Sequence, residues 1–234
     1  MSVEEIRKKF ESDDVVKRFS NIESGQVAAV DAVINLQLLT EIAARTAPRA
    51  KDVLDVGCGA GNYTLKLLAR LPNLNCTLLD LSSNMLKRAA ERIMPATSGR
   101  VAVLQGDVRE LELPSGRFDI VMAGAVLHHL REEREWEHVF RKIYDAVRPG
   151  GCFLISDLIV HSNPPVEQYM WERYEEYING VESPETFESI RQTIAKEDSP
   201  RSLPFQLDLM RQIGFKHVDV FHKNALFASF GGVK

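Results

Sequence analysis

Apolar positions fall in two rhythms along this chain. Residues 53–56, 76–79, 101–104, 118–123 and 152–155 are nearly continuous apolar runs, each bounded by turn residues. Such runs predict strands buried on both faces. Between them, residues 62–70, 82–93 and 132–147 carry apolar side chains at helical spacing. Strand and helix in alternation predict a parallel, doubly wound α/β sheet, with Arg148-Pro149-Gly150-Gly151 as a break before the fifth strand. Upstream, residues 1–24 are polar apart from Phe10, Val15, Val16 and Phe19, which predicts a mobile arm or short helix. Residues 26–46 predict a firmer helix through Val27, Val30, Val33, Ile34, Leu38, Leu39 and Ile42. Beyond Asp157 the rhythm is helical at 165–179, 184–197 and 204–213. Two strand-like runs, 217–222 and 225–230, then meet at Lys223-Asn224 and predict an antiparallel pair closing one sheet edge. These boundaries divide one domain into a helical arm (1–46), a core (47–160), a helical lid insertion (161–203) and a closing helix with antiparallel strands (204–234).

Composition narrows the class. At 234 residues and 44% hydrophobic, the chain can bury a substantial core. No stretch approaches the ~20 apolar residues of a membrane span. The charged segment from Met1 to Phe10 lacks the apolar core of a secretory signal. Cys58, Cys76 and Cys152 are far apart and show no metal-binding spacing, so they are expected to be reduced thiols in a cytoplasmic protein. A net charge of −4 argues against a dedicated nucleic-acid surface, and a homodimer is compatible with the sequence. No Asp, Glu or His cluster has metal-ligand spacing near the fourth strand, so no metal is expected.

The chemistry concentrates at Asp55-Val56-Gly57-Cys58-Gly59-Ala60-Gly61-Asn62, a strand running through a glycine-rich turn into a helix. Glycines allow positive φ and close approach of a ligand to the backbone. A dinucleotide loop has the spacing G-x-G-x-x-G, but here the third glycine comes one residue early and Asp55 precedes the turn. A carboxylate repels phosphate and suits an ammonium group. Asp80 ends the second strand, where an acidic residue can accept ribose hydroxyls or simply cap the next helix. Asp107 and Val108 follow the third strand, where a carboxylate can accept from an adenine amino group or serve a turn. An ammonium, a ribose and an adenine without phosphate describe S-adenosylmethionine.

At this point the chain resembles the class I S-adenosylmethionine-dependent methyltransferases. The resemblance covers about residues 50–158 and is carried by the glycine loop, Leu79-Asp80, Gly106-Asp107-Val108, Phe118-Asp119-Ile120-Val121, Val126-Leu127-His128-His129-Leu130 and Val147-Arg148-Pro149-Gly150-Gly151. It implies a Rossmann-like sheet of seven strands with the last antiparallel. It also implies that Gly57, Cys58, Gly59 and Gly61 line the cofactor with Asp55 on its ammonium side. Asp80 and Leu81 would meet the ribose and adenine edge, Asp107 and Val108 the adenine, and Ala123 and Gly124 the sulfonium. The expected reaction is methyl transfer to a small-molecule acceptor, giving S-adenosylhomocysteine. His129 is the candidate proton acceptor, although a packing role competes, and a sulfonium displacement can proceed by positioning without a base.

The acceptor region is less legible. Trp171 and Tyr174 fall on one helix face and could stack on a flat substrate or pack against the sheet. The C-terminal third, from Ser183 onward, is similar to the bacterial carboxy-S-adenosylmethionine synthases of wobble-uridine modification and to their undifferentiated methyltransferase relatives. In the synthases an arginine holds the added carboxylate, and Arg191 falls at that position. Against them stand the complete glycine loop, the absence of tyrosine from 26–46 and Gly124 in place of asparagine. A cofactor-binding module without chemistry is the third reading.

Overall fold

The computed structural model describes residues 3–21, 28–181 and 184–234. The strands are β1 (Asp52–Val56), β2 (Asn75–Asp80), β3 (Val101–Gln105), β4 (Phe118–Gly124), β5 (Val147–Leu158), β6 (Lys216–Asn224) and β7 (Phe227–Val233). They form one sheet in the order β3-β2-β1-β4-β5-β7-β6. Parallel pairing holds from β3 through β5, while β7 runs antiparallel to both β5 and β6. The seven-stranded, Rossmann-like sheet with an antiparallel strand near its end is thus present. The strand order reverses direction between β1 and β4, and the loops leaving their carboxyl ends diverge into a crevice.

Alternation along the central strands supplies two cores. Val53, Ile120, Met122 and Leu154 face α3 (Ala32–Thr46), α4 (Asn62–Leu68) and α5 (Ser83–Ile93). Leu54, Val121, Ala123, Phe153 and Ile155 face α6 (Glu133–Ala146) and α9 (Leu203–Ile213). Trp136, Val139, Phe140 and Ile143 recur at helical spacing on α6 and are fully buried. Each large side chain so buried contributes ~1.5–3 kcal/mol. Ser82 caps α5 by accepting from the Met85 amide at 3.1 Å, and Glu132 with Glu135 forms a capping box on α6.

Some sequence expectations change. β3 is an edge strand, so Ala102 and Val103 are exposed rather than buried on both faces. The break at 148–151 is a bulge inside β5, because Phe118 pairs with Val147 and Ile120 with Cys152. The arm contains two helices, α1 (Val3–Phe10) and α2 (Asp13–Phe19). The helix expected from residue 26 begins at Ala32, after Asp31 with φ 56°; residues 26 and 27 of that expectation lie outside the described residues. The segment expected to form a lid holds α7 (Pro164–Val181) and α8 (Pro184–Glu197). No helix among the described residues is long and apolar enough to cross a membrane.

Candidate active site

The turn after β1 lies in the crevice at the strand reversal. Gly57, Gly59 and Gly61 have φ of 64°, 50° and 82°. Two of them serve packing. A Cβ on Gly57 would lie 2.4 Å from a Val126 methyl, and one on Gly61 2.7 Å from Ile93 Cδ1. Gly59 differs: a Cβ there would meet no protein atom within 4 Å, yet Gly59 lines the cavity. The backbone of Gly59 is therefore open to the cavity. The turn is pinned from several directions. The Cys58 amide donates to Leu79 O at 3.0 Å, the Gly59 amide to Asp80 Oδ2 at 2.8 Å, and Arg92 bonds to Ala60 O and, at 3.0 Å, to Asn62 Oδ1.

One cavity of about 790 Å³ collects most of the sequence-predicted residues: Gly57, Cys58, Gly59, Asp80, Leu81, Asp107, Val108, Gly124, His129 and Tyr174. Asp80 accepts from the amides of Gly59 and Ser82 (2.8 and 2.9 Å), and burial raises its pKa despite these bonds. Asp107 is gripped by Arg109, with Nη2 2.6 Å from Oδ2. Burial acts upward on Asp107, but Arg109 outweighs it and holds the carboxyl below the usual range. Lys142 steadies that loop by donating to the carbonyls of Val108, Arg109 and Leu111 at 3.0, 2.8 and 3.0 Å. Cys58 is buried and its thiol pKa lies well above the ordinary value, chiefly through desolvation, so it is an unreactive wall.

Other predicted residues stand outside the lining. Asp55 is 1% exposed behind the loop, where its carboxylate accepts from Thr64 Oγ1 at 2.6 Å, and burial pushes its pKa up to about 7. Gly61 starts α4 and faces Ile93. Ala123 points to the opposite core, one residue out of phase with the crevice. Trp171 packs on Tyr174 and Phe187 and donates to Glu167 at 2.9 Å. Arg191 is exposed, while its neighbours Ser189, Ile190, Thr193 and Ile194 line the cavity. The side of α8 carrying Arg191 faces solvent rather than the cavity.

The structure adds residues that the sequence reading missed. Tyr63 lines the cavity, and its ring would lie 2.4 Å from a Cβ on Gly124, which explains that glycine. Ile6, Phe10 and Phe19 bring the arm over the cavity, held there by Ser82 Oγ donating to Phe10 O and Asn62 Nδ2 to Phe19 O (2.8 and 2.9 Å). Asp157, at the end of β5, is bonded to His128 Nδ1 and accepts from the Leu127 and Leu158 amides at 2.7 Å each. Its place at the carboxyl edge of the sheet was a usable signal. Asp198 was beyond reach: it follows α8, yet its Oδ1 lies 3.1 Å from His129 Nδ1. Burial acts to lower the His128 pKa, but Asp157 outweighs it and the net shift is upward. Burial, followed by the charge of His128, shifts His129 downward. Ala125, next to this turn, holds a strained φ of 53° and donates to Ser156 O at 2.8 Å.

Known proteins bear on this geometry. A family model described as "Methyltransferase domain" matches residues 53–151. The carboxy-S-adenosyl-L-methionine synthase of Campylobacter curvus is 30% identical over 175 residues, spanning 74% of this chain and 72% of the relative. The chain belongs to the class I S-adenosylmethionine-dependent methyltransferases. A demethylmenaquinone methyltransferase of Listeria monocytogenes is 27% identical over 191 residues, 80% of this methyltransferase and 79% of the relative. Human N-acetylserotonin methyltransferase, solved in complex with S-adenosylmethionine, shares the fold with a TM-score of 0.58 at 17% identity. That match covers 88% of this chain, which spans about half, 53%, of the human one. S-adenosylmethionine is the methyltransferase's cofactor. The site fits it: open backbone at Gly59 and carboxylates at Asp80 and Asp107 on the cavity wall.

Proposed function

We propose that this methyltransferase moves the methyl group to a small, largely apolar acceptor held under the lid. The observation that carries the reading is that one continuous cavity joins the Gly59 turn to an apolar wall of Ala28, Ala32, Tyr174, Ile178, Ile190 and Phe227. Asp80 retains acceptor capacity beyond the amides of Gly59, Ser82 and Leu81, and this is assigned to the ribose hydroxyls. Asp107, fixed by Arg109, and Val108 are assigned to the adenine; Gly57, Cys58 and Gly124 border the reacting end. Asp55 acts from behind the loop, by fixing Thr64 and the start of α4. When bound, the cofactor supplies an electrophilic methyl on a sulfonium. The chain's part is to orient the acceptor, exclude water with α1, α2, α7 and α8 and, where the acceptor loses a proton, take it at the His128–His129 pair. We assign the four segments to a single methyltransferase domain.

Titration calorimetry with S-adenosylmethionine and S-adenosylhomocysteine tests the cofactor half. Asp80→Ala is expected to weaken binding by roughly 10- to 100-fold, as for loss of charge-assisted hydrogen bonds. Unchanged affinity would remove the ribose assignment. The second reading, a carboxy-S-adenosylmethionine synthase, is favoured by the Campylobacter relative but not by Arg191, which is exposed away from the cavity. Native mass spectrometry of the purified protein separates the two. A bound cofactor heavier by one carboxylate would replace methyl transfer with synthesis.

A further inference from the structure

Two residues of the turn after β4 and one residue after α8 bring three metal-ligating groups to the cavity wall. One ring nitrogen each from His128 and His129 and an Asp198 carboxylate oxygen all lie within 4.8 Å of one another. We propose that His128, His129 and Asp198 form a binding site for a divalent first-row transition-metal ion. The inference rests on the methyl-transfer reading for its use, though not for its existence.

The distances suit a single ion. Metal–ligand bonds of ~2.1 Å at tetrahedral or octahedral angles place donor atoms ~3.0–3.4 Å apart. Asp198 Oδ1 is 3.1 Å from His129 Nδ1 and 3.8 Å from His128 Nε2, and side-chain rotation of His128 would have to close the remaining gap. The contact to His129 is not a satisfactory proton-mediated bond. Nδ1 is buried and lacks a hydrogen-bond partner despite its closeness to the carboxylate.

The surroundings are those of a prepared ligand set. Asp157 binds His128 at Nδ1, which turns Nε2 toward the other two donors, and the Leu127 and Leu158 amides fix Asp157 itself. A carboxylate behind a ligating imidazole sets its tautomer and basicity. The two segments are docked independently of any ion: the Ser199 amide donates to His128 O at 2.7 Å, and Arg131 Nη1 to Ser199 Oγ at 3.2 Å. Two imidazoles and one carboxylate select zinc, cobalt, nickel or iron over magnesium or calcium, which take mainly oxygen. All three residues line the cavity, so open coordination positions would face the acceptor. The ion would bind an acceptor oxygen or sulfur and lower its pKa, in place of proton transfer to the histidine pair.

The test is titration of chelator-treated, full-length protein with Co²⁺, read by its visible d–d absorption, and with Zn²⁺ in competition. One saturable site per chain is expected. Asp198→Asn and His129→Gln should each weaken it by at least tenfold. Asp157→Asn should weaken it by roughly 10- to 100-fold while keeping the stoichiometry, and His138→Gln, at an exposed histidine outside the cluster, should leave it unchanged. Thermal melts establish that each variant is folded; should one replacement unfold the lid, the other decides. Absence of a saturable spectrum, or one that survives both ligand replacements, overturns the site. Cofactor titration in chelator fails or succeeds independently, so loss of the metal site leaves methyl transfer standing.

Discussion

The two ends of the cavity are built differently. The end assigned to the cofactor follows three strands in chain order: a turn after β1, a carboxylate ending β2 and another after β3, each fixed by main-chain amides or an adjacent arginine. The lid end gathers Ala28, Tyr174, Asp198 and Phe227, which are distant in sequence and meet only through packing. The first end depends on backbone conformation and short side chains, so it tolerates little change. The second depends on the shapes of large side chains and can be re-formed for another acceptor. A constant cofactor cradle beside a variable acceptor wall is what one transfer reaction needs to serve many acceptors.

The sharpest way to break this comparison is Gly59→Val. A Cβ at this position meets no protein atom within 4 Å, and the two methyl groups beyond it would extend into the space beside the cavity wall, at a backbone φ of 50°. The fold should survive with a loss of ~1–2 kcal/mol. Calorimetry should find cofactor affinity reduced by at least ~100-fold, or about 2.7 kcal/mol. Retained affinity would mean that the cradle lies elsewhere.

A subtler test probes the dry region behind the loop. The pKa of Asp55 is about 7 in the folded protein, mainly through burial and secondarily opposed by Thr64, against an ordinary value of 3.8. A raised carboxyl pKa means that the folded state holds a proton which the unfolded state has already released. The stability contributed by that proton is complete below pH ~4 and is lost as pH rises through about 7. Relative to Asp55→Asn, the wild type should therefore lose up to about 3–4 kcal/mol across that window. Urea unfolding of both proteins at several pH values measures the difference and cancels the other titrating groups. A flat difference would show that water reaches Asp55.

The same contrast explains what was legible. Strand and helix alternation, the seven strands and the acidic residues after β2 and β3 follow from local patterns, because apolar runs and turn residues act over a few positions. The exposure of β3 and the orientation of Ala123 depend on strand order and pleat phase, which an apolar run does not carry. Asp198 meets His129 only because α8 packs across the cavity, and no spacing rule links positions so far apart. Asp55 was read from its place beside the glycines, but Thr64, on the next helix, turns its carboxylate inward.

The smallest expected effect falls at Arg191. The resemblance to the carboxy-S-adenosylmethionine synthases implies a carboxylate ligand there, but helix phase argues otherwise. Ile190 and Ile194, four residues apart, share the face of α8 that lines the cavity, and Arg191 sits one step round, exposed to solvent. Reaching the ligand would require α8 to rotate by about 100°, which would pull Ile190 and Ile194 out of their contacts with the lid cluster. Arg191→Ala should therefore change stability by no more than ~0.5 kcal/mol and leave cofactor affinity unchanged. Ile190→Ala, its immediate neighbour, should cost ~1–3 kcal/mol from the same helix. Calorimetry and thermal unfolding of the two variants side by side measure the phase of α8. A tenfold loss of cofactor affinity in Arg191→Ala would reverse the assignment and bring the carboxylated cofactor back as the ligand.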